Sequence, residues 1–176
     1  MKFTELKFQG CFLIEMEKYE DERGYFSRSW DKKEFQENGI CSDFLQNNIS
    51  FNKKKGTLRG IHFQEHPFEE GKLVRCTKGK IFEVFIDLRK DSKTYKQWDS
   101  VELDSNKNFE LYIPKGFALG LQTLQDNSEI FYQMTQFYKP DLSNGIKWND
   151  PMFEINWPLE PTVISKKDRN WDEFLD

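Results

Sequence analysis

Histidine is scarce in this chain: His62 and His66 are the only two among 176 residues. That leaves too few ring nitrogens for an imidazole-rich metal centre. The three cysteines, Cys11, Cys41 and Cys76, are odd in number and widely spaced. They exclude a disulfide framework and read as free, small buried hydrophobes of a reducing cytoplasm. No apolar run approaches the ~20 residues of a membrane-spanning helix. The opening Met1-Lys2-Phe3-Thr4-Glu5 lacks the apolar segment of a secretory signal. Basic residues are not in excess either: 26 Lys and Arg against 30 Asp and Glu give a net charge of -4. A field that would draw nucleic acid or an anionic membrane is therefore not expected. Linkers, repeats and low-complexity tracts are missing too, so one domain over residues 1–176 is expected.

What the chain does have is rings. Aromatics make up 16% of it, with 17 Phe, enough to fill a core between sheets. Alternating patterns predict strands over 8–15, 25–30, 44–51, 56–64, 72–77, 81–88, 96–103, 109–113, 117–124 and 129–138. Lys78-Gly79-Lys80 reads as the turn of a hairpin joining 72–77 to an apolar-faced 81–88. Residues 32–38 predict a short helix capped by Asp31 and stopped by Gly39. From Pro158 onward the chain looks irregular, with room for one short helix. Strands every ten or so residues, with few helices, predict an all-β fold: an antiparallel sandwich or barrel of jelly-roll type.

The stretch Leu58-Arg59-Gly60-Ile61-His62-Phe63-Gln64 carries the chemistry. Period-two alternation puts Arg59 and Ile61 on one face and Gly60 and His62 on the other. A buried strand bearing a cation and a titratable ring needs a purpose; a half-exposed, solvated one does not. With a metal site excluded by ligand count, His62 suits general base catalysis. Arg59 and Lys72 are cations able to steady an oxyanion, although either could be a plain surface charge. Base, acid and oxyanion clamp together fit proton abstraction beside a carbonyl. His66, in Gln64-Glu65-His66-Pro67, reads as a solvated turn residue. Tyr132 could point inward with His62, either as a core phenol or as the acid.

These residues sit in longer motifs. They are Asp21-Glu22-Arg23-Gly24-Tyr25-Phe26, Gln46-Asn47-Asn48, the Arg59 to His62 stretch, Gly71-Lys72-Leu73-Val74-Arg75, Ile113-Pro114-Lys115-Gly116-Phe117-Ala118 and Ile164-Ser165-Lys166-Lys167-Asp168. With them, residues 12–171 resemble the dTDP-4-dehydrorhamnose 3,5-epimerase family. The resemblance implies a cupin-type jelly roll, a homodimer, and action without a cofactor or metal on a nucleotide-diphosphate-linked 4-keto-6-deoxyhexose. It implies His62 as base, Asp168 as its carboxylate partner and Tyr132 as the acid on the opposite face. Arg59 and Lys72 would lie near the substrate's enolate oxygen. Arg23, Gln46, Asn48 and Lys167 would hold the nucleotide sugar, and Tyr138 would stack on the base.

The chain also departs from the family pattern. Leu119 stands where a histidine is usual and Leu121 where an aromatic is. Arg28 and Ser143 replace glutamates. Such losses change selectivity more than proton chemistry. The expectation is an epimerase at C3, C5 or both whose sugar or nucleotide differs. The alternatives are a 3,4-ketoisomerase or a non-catalytic nucleotide-sugar-binding cupin.

Overall fold

Two facing sheets account for nearly all the strands. The computed structural model describes residues 1–174. In chain order the strands are β1 (Lys2–Glu5), β2 (Phe12–Glu15), β3 (Lys18–Asp21), β4 (Gly24–Ser27), β5 (Gln46–Asn52), β6 (Thr57–Gln64), β7 (Lys72–Lys78), β8 (Lys80–Asp87), β9 (Trp98–Asp104), β10 (Phe109–Ile113), β11 (Phe117–Thr123), β12 (Ser128–Met134), β13 (Ser143–Gly145) and β14 (Val163–Ile164). The α-helices are α1 (Lys32–Glu37) and α2 (Lys166–Arg169).

The first sheet has the order β1-β2-β10-β7-β12-β5. The second has the order β13-β6-β11-β8-β9, with β14 beside β6. Their inner faces pack on one another through Val74, Leu111, Ile113 and Ile130 from the first sheet and Ile81, Phe85, Leu103 and Leu119 from the second. This is the jelly roll that the strand spacing predicts, of the cupin type that the resemblance implies. Two satellite cores close the outer faces. Phe35 and Ile40, from α1 and the residues after it, cover Ile14, Leu73 and Tyr112 of the first sheet. Ile146 and Phe153 cover Ile61, Ile86 and Ala118 of the second.

Local signals placed α1 correctly. The Asp31 side chain accepts hydrogen bonds from the Lys33 and Glu34 N–H groups, which helical geometry leaves unpaired.

Several expectations need correction. β7 and β8 are joined tightly but do not pair as a hairpin. β7 pairs with β10 and β12, whereas β8 pairs with β9 and β11, so the turn at Gly79 carries the chain from one sheet to the other. Alternation reports which faces are apolar, not which neighbour supplies the ladder. The strand expected over 8–15 begins only at Phe12, because Phe8 is buried in the loop before it. The strand expected over 25–30 ends at Ser27 and pairs with β3 as a two-stranded ribbon. Cys11 and Cys76 are buried as expected, but Cys41 is exposed.

Candidate active site

The distinctive feature of β6 is a β-bulge inside the Arg59 to His62 stretch. His62 pairs with Leu119 and Arg59 with Leu121, so Gly60 and Ile61 together face the single residue Gly120. One extra residue reverses the alternation beyond it. Arg59 and His62 therefore share the inner face, and Ile61 joins the outer core. Period-two reading had placed Arg59 and His62 on opposite faces. The bulge also needs glycine. Gly60 has φ +98°, and a Cβ there would lie 2.7 Å from the Leu119 carbonyl oxygen and 2.9 Å from the Gly120 Cα.

The re-aimed His62 lines a cavity of about 360 Å³ between the sheets. Arg59, Lys72, Tyr132, Leu119 and Leu121 line it too. His62 and Tyr132 belong to opposite sheets and so face the space from two sides. Arg59 is held by its Nε donating to Asn52 Oδ1 at 2.6 Å. Lys72 Nζ lies 2.9 Å from Glu70 Oε1, and both side chains are largely buried.

Asp168 stands behind His62. His62 Nε2 donates to Asp168 Oδ1 at 2.6 Å, across 106 residues of sequence. Ser165 caps α2, its Oγ accepting from the Asp168 N–H at 3.0 Å, which fixes the carboxylate at the first turn. Burial pushes the Asp168 carboxyl up. The hydrogen bond and charge of His62, the Gly60 N–H and the Ser165 hydroxyl outweigh it and hold the group below its ordinary pKa. The bulge thus aims His62 inward and turns a backbone donor toward its partner. Trp171 packs edge-on against the imidazole, with ring centroids 6.3 Å apart. Gly145 makes room for that indole, because a Cβ there would come within 2.2 Å of it.

The remaining residues singled out in the sequence are more scattered. Gln46 and Asn48 pair with Met134 and Tyr132, so they share the inner face beyond the cavity. Gln46 Oε1 accepts from the Tyr138 N–H, which ties the half-exposed Tyr138 to β5. Asn48 Nδ2 is buried with no partner among the described residues. Lys167, on α2, lies over the Trp171 ring at 5.0 Å. Arg23 is not brought to the cavity. It lies between β3 and β4, its side chain 84% exposed and paired with Asp21. His66 is a solvated residue near Glu69, as expected.

The sequence reading missed Glu83. It treated 81–88 as fully apolar on its faces, yet Glu83 lines the cavity and is only 3% exposed. The signal was available: a lone carboxylate in Ile81-Phe82-Glu83-Val84-Phe85-Ile86.

Comparison with known proteins shows the family. The family model described as dTDP-4-dehydrorhamnose 3,5-epimerase matches residues 5–176. The chain belongs to this family. It is 45% identical over 174 residues to the dTDP-4-dehydrorhamnose 3,5-epimerase of Methanothermobacter thermautotrophicus, covering 97% of this chain and 92% of that relative. The crystal structure of the Bacillus anthracis epimerase with TDP and PPi bound superposes with a TM-score of 0.95 at 37% identity, covering 98% of this chain and 99% of that one. The Legionella pneumophila epimerase in complex with dTDP-4-keto-L-rhamnose superposes with a TM-score of 0.89 at 37% identity, covering 95% and 89%.

The four positions expected to depart from the family pattern lie in different parts of the fold. Leu119 and Leu121 form part of the cavity wall itself. Arg28 lies elsewhere, paired with Asp31 at 3.5 Å, and Ser143 opens β13 opposite Gln64. Among the described residues no helix is long and apolar enough to cross a membrane.

Proposed function

We propose that this chain epimerises a nucleotide-diphosphate-linked 4-keto-6-deoxyhexose at C3, C5 or both, in the cytoplasm and in the service of deoxysugar synthesis. The observation that carries the reading is the His62–Asp168 pair facing Tyr132 across a cavity that also holds Arg59 and Lys72.

The 4-keto group acidifies the adjacent C–H bonds. With Asp168 accepting from Nε2, the other ring nitrogen of neutral His62 carries the lone pair and takes the proton. The C–H electron pair becomes the enolate double bond, and negative charge develops on the 4-oxygen beside Lys72 and Arg59. Asp168 stabilises the imidazolium so formed. Tyr132 delivers a proton to the opposite face of the same carbon, which inverts it. The phenolate and imidazolium then exchange protons with solvent, and both side chains return to their starting states.

Gln46, Asn48, Tyr138 and Lys167 are assigned to the nucleotide. The unpaired Asn48 amide supports this, since a buried donor without a partner calls for a ligand. Arg23 joins them only if the chain is a homodimer whose β3–β4 ribbon reaches a second copy. The ribbon's exposed Tyr19, Tyr25 and Phe26 favour such an interface. Leu119 and Leu121 make one wall of the sugar site apolar, which supports a sugar or nucleotide different from that of the rhamnose pathway.

The test is a panel of dTDP-, GDP- and CDP-linked 4-keto-6-deoxy sugars incubated in D2O. Deuterium at C3 or C5 of one of them, with inversion there, is expected. A product whose carbonyl has moved to C3 would assign a ketoisomerase instead, and binding without any exchange would assign a non-catalytic cupin.

A further inference from the structure

Glu83 is a buried carboxyl in the cavity wall that the mechanism above does not use. It lies on β8, opposite Leu121, which is in turn opposite Arg59 on β6. Its Oε2 is buried and has no hydrogen-bond partner among the described residues. A buried, unpartnered carboxyl oxygen at the edge of a ligand-sized space is costly unless a ligand completes it. The wall around it offers little else, because Leu119, Gly120 and Leu121 bring no hydrogen-bonding side chain.

The neighbouring charges decide the protonation state. The groups facing Glu83 are Lys72 and Cys76 of β7, Arg59 and His62 of β6 and Tyr132 of β12. Lys72 is the cation whose charge reaches Glu83, but it already pairs with Glu70 at 2.9 Å. One ammonium between two buried carboxyls leaves one carboxyl uncompensated, and that one keeps its proton. Burial pushes the Glu83 carboxyl up to about 8, with Lys72 opposing only in part. A carboxylate at this place would repel an enolate; a carboxylic acid can donate to it.

We propose that Glu83, as a neutral acid, is a further catalytic residue that donates a hydrogen bond to the substrate's enolate oxygen alongside Lys72. The inference rests on the epimerase reading. It gives the Leu119–Leu121 wall the polar contact it otherwise lacks, and it supplements a lysine whose charge Glu70 partly offsets.

The test compares the wild type with Glu83→Gln and Glu83→Leu, using the dTDP-, GDP- and CDP-linked 4-keto-6-deoxy sugars of the panel above as probes. Wild-type deuterium exchange should fall as pH rises through about 8, where the acid is lost. Glu83→Gln keeps a donor that does not titrate, so it should retain most of the exchange and lose that alkaline fall. Glu83→Leu should lose exchange by about 10²–10³-fold, the usual cost of one oxyanion donor. Nucleotide binding should stay near wild type in both, and neither variant should melt below wild type. Exchange by Glu83→Leu at the wild-type rate, or the same alkaline fall in Glu83→Gln, would overturn the proposal. Difference infrared spectra provide a readout independent of turnover. Of the acid C=O bands present at neutral pH, one should be lost in Glu83→Gln, that of Glu110 remaining, and the lost band should be the one the probe shifts. A missing or unshifted band would overturn the contact. A shifted band in a wild-type protein that exchanges nothing would overturn the epimerase reading and uphold the contact.

Discussion

His62 and Asp168 are joined by a 2.6 Å hydrogen bond that brings a bulged inner strand and a four-residue C-terminal helix together. In the proposed mechanism neither residue makes a base alone: the ring supplies the lone pair, and the carboxylate fixes the tautomer and stabilises the charged form. Asp168→Asn keeps the shape and removes the charge. Deuterium exchange into substrate should fall by about 10²–10⁴-fold, with nucleotide binding unchanged by calorimetry. Because the Asp168 pKa is lowered, the pair's contribution to stability is present above the ordinary aspartate pKa and is lost only as pH falls below it.

Tyr132 faces His62 from the other sheet, and its removal should separate two events. Tyr132→Phe leaves the base intact, so the proton is abstracted and can return to the face it left. Deuterium uptake at the substrate carbon should continue while inversion nearly stops. NMR of the recovered nucleotide sugar distinguishes retained from inverted deuterated product; equal loss of both would assign Tyr132 to binding.

Gly60 is the position where activity and stability are most tightly coupled to backbone shape. Gly60→Ala places a Cβ 2.7 Å from the Leu119 carbonyl oxygen. We expect a loss of about 1–3 kcal/mol in stability, as for other overpacked sites. Exchange should fall further than stability explains, because flattening the bulge would swing His62 or Arg59 off the inner face. Denaturant melts and exchange rates on the same preparations check this.

The buried carboxyls set the pH dependence of folding. Burial pushes Glu110 up to about 8, with Arg75 only partly opposing, and Glu83 is raised likewise. The folded state then holds protons that the unfolded chain has released, so stability falls as pH rises from about 4.5 to about 8. Each group contributes at most ~1.4 kcal/mol per pH unit. Glu110→Gln should flatten this slope and raise the melting temperature at the alkaline end. Asp87 works in the opposite sense. Burial raises it, but hydrogen bonds from Arg89, Ser92 and Thr94 hold it at about 2, so its stabilisation is lost only in strong acid.

The sequence disclosed the fold because alternation is a local signal. The strands from β5 to β12 stand close to where period-two patterning puts them, and Asp31 announces α1. Pairing was not legible: β7 and β8 are neighbours in sequence but belong to different sheets. In the site, residue type and spacing marked Arg59, His62 and Lys72, whereas Asp168 came only through resemblance, since 106 residues separate it from His62. The bulge hid the shared face of Arg59 and His62, because alternation assumes an unbroken ladder. Glu83 was overlooked because one charge among apolar neighbours does not change a strand's pattern, although it changes what the cavity can do.

The most direct test of the account is deuterium uptake at C3 and C5 of a nucleotide-linked 4-keto-6-deoxyhexose, by the wild type and by His62→Ala, followed by NMR in D2O. The account predicts uptake with inversion in the wild type and a loss of about 10²–10⁴-fold in the variant, with nucleotide binding retained. Wild-type exchange that survives His62→Ala undiminished would contradict it.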